Sequence, residues 1–224
     1  MNILQMFAIL LLALPSLTWS YPGQQEYETI SDEELDSGVR SMNRFAILEA
    51  GRRRRKQVIP DLDRLAASED TEECKRKIIR SDPVMYEQRL EYVRCPQHKA
   101  ARLAAKKALA RMGDIKYLKE FISDLSSKDG WKRIDAIRAL GYVGDKRAAK
   151  YLAPILDETG GPPKYSKHEP APSYAYTAEQ AFDELFPEVL EQFRKENTRS
   201  KYFFSAQWKA WWKTNKAKFQ QGIE

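Results

Sequence analysis

His98 and His168 are the only histidines of the chain, and Cys74 and Cys95 its only cysteines. Acid–base, nucleophilic and metal chemistry need such groups in sets at fixed spacing. The sequence holds no HExxH, no GxSxG, no glycine-rich phosphate loop and no acidic cluster at metal-loop spacing. His98 is the only imidazole near the cysteines and there is no CxxC, so a metal site is not indicated. We expect a protein that is not an enzyme and takes no cofactor. The cysteines are expected to form one disulfide, Cys74–Cys95, if the chain is exported. It would close a loop worth about 3 kcal/mol. Two free thiols are the alternative.

The stronger signal is cationic. Lys116 and Lys119 recur as Arg147 and Lys150 at an offset of 31 residues. Members of each pair are three apart, hence on one face of a helix. Stacking the two helices would align four cations in a ladder. A solvated face with no partner is the plainer reading, and exposed cations of this kind contribute little to stability. Arg102 and Arg133, and Lys107 and Arg138, are further basic equivalents.

These residues need helices to position them. Ala136, Ala139, Leu140 and Val143 mark one helical face, and Gly144 and Asp145 end that helix and cap the next. Ala149, Leu152, Ala153 and Leu156 repeat the spacing. Thirty-one residues earlier, Ala105, Ala108, Leu109 and Met112 precede Gly113-Asp114, followed by Leu118, Phe121, Ile122 and Leu125. Ala178, Ala181, Phe182 and Leu185 match again at an offset of 42, with Thr177 and Gln180 at capping-box spacing. Ala46, Ile47 and Ala50 before Gly51 give a weaker fourth match at an offset of 93. Recurrence at this period predicts stacked helix pairs.

"ALARMGD" (Ala108 to Asp114) and "RALGYVGDKRAAKYLAPIL" (Arg138 to Leu156) resemble HEAT repeats, especially the short HEAT-like, PBS-lyase-type units of bacterial proteins. "FFSAQWKAWWKTNKAKF", near the end, resembles the helices that close such arrays. Its stripe of Trp208, Trp211, Trp212, Asn215 and Phe219 is expected to pack as a cap over the last unit. The resemblance implies an all-α fold, a short α-solenoid forming a right-handed superhelix. It also implies that second helices line the concave surface, placing Lys116, Lys119, Arg147 and Lys150 there, with Lys107 and Arg138 on the convex side. HEAT-like di-iron hydroxylases need several His-Glu pairs, and only His168-Glu169 exists. HEAT-like DNA glycosylases suit the charge, but not an exported chain, so genomic nucleic acid is not expected as partner. The repeat shared with bilin lyases does not itself carry their activity.

The division along the chain is as follows. Residues 1–20 read as a signal peptide around "MFAILLLAL" (Met6 to Leu14), without the usual basic residue before it. A buried N-terminal helix is the alternative. An acidic flexible segment (21–41), a weak first repeat (42–66), an insertion with both cysteines (67–98) and two repeats (99–157) follow. Then come a Gly/Pro-rich loop (158–173), a further repeat (174–195) and the cap helix (196–224). No other apolar run is long enough to span a membrane, so the mature chain is expected to be exported without a transmembrane segment, to periplasm or extracellular space.

The net charge of +6 favours an anionic partner. The functional expectation is a scaffold or adaptor for a protein or an anionic polymer. Two alternatives stand beside it. One is a HEAT-like enzyme with an unrecognised site. The other is a secreted precursor cut at Arg52–Arg55, "RRRR", which otherwise reads as an exposed turn. The Pro-rich loop with Tyr165 and His168 is either a linker or a second binding element.

Overall fold

Short polar residues start the helices. Asp114, Asp129 and Asp145 each accept a backbone N–H of the turn that follows, and Ser31 and Glu34 form a reciprocal capping box. Such caps stabilise a helix by about 1 kcal/mol each. The computed structural model of the chain describes residues 29–69, 88–163, 171–196 and 205–220, with the side chains of 88–97 excepted. The signal-peptide expectation for residues 1–20 lies outside them.

Among the described residues the fold is all-helical and contains no strand. The helices are α1 (Asp32–Arg40), α2 (Arg44–Arg52), α3 (Ile59–Ala67), α4 (Gln88–Arg111), α5 (Ile115–Asp124) and α6 (Gly130–Val143). After them come α7 (Ala149–Leu152), α8 (Tyr174–Leu185), α9 (Pro187–Glu196) and α10 (Ser205–Asn215). None of them is long and apolar enough to cross a membrane.

Four helix pairs follow one another: α2 with α3, α4 with α5, α6 with the Lys146–Asp157 stretch, and α8 with α9. Gly113 (φ 111°) and Gly144 (φ 76°) end α4 and α6 in the left-handed region. The residue doing this after α2 is Arg54 (φ 51°), not Gly51, which sits inside the helix. The first pair therefore aligns with the third at an offset of 90, not 93. At that offset the short 3-10 turns Lys56–Val58 and Lys146–Ala148 coincide. Gly51 is small for another reason. A Cβ there would lie 2.8 Å from the Cα of Ala108, and one on Gly141 would lie 2.8 Å from the Cα of Ala181. Gly51 matches Gly141, and Ala108 matches Ala181, so the same small-residue crossing joins α2 to α4 and α6 to α8.

The first helices of successive pairs contact one another: α2 on α4, α4 on α6, and α6 on α8. The second elements pack mainly on the first helix of the following pair, α3 on α4, α5 on α6 and the Ala153–Asp157 turn on α8. One core of Leu, Ile, Ala and Phe side chains runs from Leu35 to Trp208.

Three boundaries differ from expectation. Asp32–Arg40 is a helix with Leu35 and Val39 buried, where a flexible acidic segment was expected. The capping box and the apolar face explain it. Helix α4 begins at Gln88, so the end of the expected insertion is continuous with a first helix. Helix α8 starts at Tyr174 because Ser173 accepts from Tyr176 N. Thr177 lies inside it and donates its hydroxyl to Ser173 O (2.8 Å), so Thr177 and Gln180 form no capping box.

Candidate functional site at the ends of the first helices

The corrected register brings out one position in the last turn of each first helix: Arg52, Arg111, Tyr142 and Glu184. The structure gathers all four. Tyr142 is buried at the centre, its hydroxyl donating to Leu48 O of α2. The guanidinium of Arg111 donates to Tyr142 O and lies 5.2 Å from the tyrosine ring centroid. That of Arg52 lies 5.6 Å from the same centroid. Burial pushes the Tyr142 phenol well above its usual range, so it stays a neutral donor. Arginines suit these helix ends, where the carbonyl dipoles carry partial negative charge.

Lys107 and Arg138, equivalent to each other, sit one turn back on α4 and α6. Lys107 is only partly buried by accessible surface, yet desolvation lowers its pKa; Asp135 and Glu184 oppose this and Arg138 adds to it. Glu184 is exposed, yet surrounding protein raises its pKa by desolvation against the pull of Arg52, Lys107 and Arg111. Both groups keep contact with solvent while neighbouring protein crowds them. Neither makes a hydrogen bond or ion pair among the described residues.

The expected ladder is less open. Lys116 and Lys119 are exposed, with the Lys116 amine 5.0 Å from the Tyr117 ring centroid. Arg147 turns back onto its own capping residue, Asp145 (2.7 Å). Lys150 donates to Gln220 O (3.4 Å) in the C-terminal segment. With Tyr151, Pro154, Asp157 and Trp212 it borders a shallow cleft of about 480 Å³. The two halves also differ in backbone. Ile115–Asp124 is one regular helix, whereas Lys146–Asp157 is a 3-10 turn, a four-residue α-helix and a second 3-10 turn. Pro154, which lacks an N–H, cannot continue the α-helical ladder.

The turn Arg52–Arg55 is engaged by carboxylates. Arg53 binds Glu49 (3.0 Å) and Asp32 (3.2 Å), and Arg55 binds Asp36 (2.9 Å) and Asp32. The acidic helix α1 thus lies against the basic turn. The start of the Pro-rich loop is packed too: Trp131 Nε1 donates to Pro163 O (3.1 Å) and Pro162 is buried. Tyr165 and His168 lie outside the described residues, as does Cys74. The side chain of Cys95 is not described, so the disulfide expectation falls there as well.

The tryptophan stripe packs onto α8 and α9. Trp208 is fully buried, with its ring 5.4 Å from that of Phe182 and 4.9 Å from that of Phe193; Trp211 lies 4.7 Å from Phe186. Beneath it lie two carboxylates one turn apart. Ser205 Oγ donates to Glu179 Oε2 (2.6 Å) and Trp208 Nε1 to Asp183 Oδ1 (2.8 Å). Desolvation drives the Asp183 pKa up to about 7 against the Trp208 hydrogen bond, with nearby Glu179 adding to the rise.

Comparison with protein families, curated proteins and solved structures finds no match for this chain. Among the described residues no three His, Cys, Asp or Glu side chains are placed to hold a metal ion. The position shared by Arg52, Arg111, Tyr142 and Glu184 escaped sequence reasoning because its residue types differ from pair to pair. Only the left-handed Arg54 fixes the first pair in register with the others.

Proposed function

We propose that the chain is an exported, non-catalytic binding scaffold. In this reading it is a short α-solenoid of HEAT-like helix pairs whose partner is a protein or an anionic polymer. The supporting observation is the gathering, in the first-helix layer, of Arg52, Arg111, Tyr142 and Glu184, with Lys107 and Arg138 beside them. Core side chains alone would hold four helices together. A half-desolvated lysine with neither hydrogen bond nor ion pair is costly for stability, and it has a use if a partner completes it. The second-helix cations Lys116, Lys119, Arg147 and Lys150 are the weaker candidate, since Arg147 and Lys150 already have partners within the chain.

Affinity capture from the native envelope or medium tests this, with the parent beside two variants. K107E/R111E alters the first-helix layer; K116E/K119E/R147E/K150E alters the second. A partner lost from the first variant and weakened by salt supports the reading. Loss from the second variant alone moves the surface to the second helices. Identical capture by all three overturns both.

A further inference from the structure

We infer that α1 guards a latent proteolytic site: while its carboxylates hold Arg53 and Arg55, the turn Arg52–Arg55 is closed to proteases that cut after Arg-x-x-Arg, and loosening α1 opens it. This goes beyond the scaffold reading and does not depend on it.

The motif Arg-x-x-Arg occurs once in the chain, at Arg52–Arg55. A protease of that specificity adds water across the Arg55–Lys56 amide, leaving a carboxylate on Arg55 and an amine on Lys56. It needs the chain extended through the motif and the two outer arginines free to enter its pockets. Proteases nick exposed loop tips, but only where burial and backbone hydrogen bonding let the segment open.

The backbone is not extended here. Arg52 ends α2 and Arg53 stays near-helical (φ −76°, ψ −3°), while Arg54 is left-handed (φ 51°). Only Arg55 is extended (φ −68°, ψ 91°), directly before the 3-10 turn Lys56–Val58. The amides of Arg53, Arg54 and Arg55 donate to Glu49 O (2.9 Å), Gly51 O (3.2 Å) and Ala50 O (3.0 Å).

The side chains are held as well. Arg55, which must enter the main pocket, is 16% exposed and gives Asp36 two bonds (3.3 and 2.9 Å) and Asp32 another. Arg53 donates to Glu49 (3.0 Å), Asp32 (3.2 Å) and Ile30 O (3.0 Å). Arg52 lies 3.5 Å from Glu49. Asp32 and Asp36 are four apart, hence on one face of α1. The same helix is anchored by buried Leu35 and Val39. Partly exposed ion pairs add little to overall stability. Neutralising Asp32 and Asp36 should therefore loosen the turn without unfolding the chain. A precursor cut at this motif would first require α1 to be loosened.

The test uses the full chain and a protease that requires arginine at both ends of Arg-x-x-Arg, with cleavage read by intact mass. A free peptide of residues 49–58 gives the rate for the unguarded motif. We expect the parent to be cut at least about a hundredfold more slowly than the peptide, and D32N/D36N about tenfold faster than the parent at an unchanged denaturation midpoint. A peptide cut no faster than the parent, or D32N/D36N as resistant as the parent, would overturn the inference. If D32N/D36N lowers the midpoint, the parent in about 1 M salt decides, because screening weakens the ion pairs. Its rate relative to the peptide should then rise, and an unchanged ratio would count against α1 as the guard.

Discussion

The hydroxyl of Tyr142, at the end of α6, donates to the carbonyl of Leu48 on α2, 94 residues earlier in the chain. The bond spans two helix pairs and ties the first to the third past the end of α4. We expect Y142F to destabilise the fold by about 1 kcal/mol, the net value of one such bond. We expect Y142A to cost about 3–5 kcal/mol, because it also opens a cavity between Arg52 and Arg111. Chemical denaturation of the parent and both variants checks this; equal midpoints for parent and Y142F would remove the bond from the account.

Gly51 and Gly141 are helical, and replacing an exposed helical glycine by alanine usually stabilises by about 1 kcal/mol. Here the sign should reverse. The added Cβ would lie 2.8 Å from a backbone Cα of the neighbouring helix, and backbone cannot swing aside as a side chain can. G51A and G141A should each destabilise by about 1–3 kcal/mol, the range for overpacking. Thermal melts showing a gain for either would mean that the crossings are looser than described.

Arg54 presents the opposite case. Its left-handed backbone (φ 51°) costs an L-residue about 1–2 kcal/mol, part of which glycine returns as unfolded-state entropy. Its side chain is exposed. R54G should stabilise by about 0.5–1 kcal/mol in the same denaturation assay.

Asp183 gives the fold a pH dependence. Its pKa rises from 3.8 to about 7 in the folded state, so between these values the folded chain holds a proton that the unfolded chain has released. Its contribution to stability is full below about pH 4, falls as pH rises toward 7 and is flat above. D183N keeps an oxygen for Trp208 Nε1 and removes the titration. Unfolding free energies measured from pH 4 to 8 should show a smaller fall for D183N than for the parent. Parallel curves would place the pH dependence elsewhere.

The helices around Ala108–Asp114 and Arg138–Leu156 were legible because apolar spacing, a left-handed glycine and a capping aspartate are local signals that act within a few residues. The packed tryptophan stripe follows from the same 3.6-residue period. The register of the first pair was not legible. Gly51 looks like a helix terminator, and nothing local says that Arg54 takes the left-handed turn while Gly51 serves a close crossing with Ala108. The fate of charges was equally hidden. Sequence spacing puts Arg147 and Lys150 on one face, but not Arg147 on Asp145 or Lys150 on Gln220.

By itself, then, the sequence determined the helices around Ala108–Asp114 and Arg138–Val143 and the recurrence of their apolar spacing, because hydrogen bonding and side-chain periodicity along a helix are local. Tertiary structure alone decided that Arg52, Arg111, Tyr142 and Glu184 meet, and that Gly51 and Gly141 sit at close crossings. Those relationships depend on how near two backbones can approach, which is set by small residues far apart in the chain.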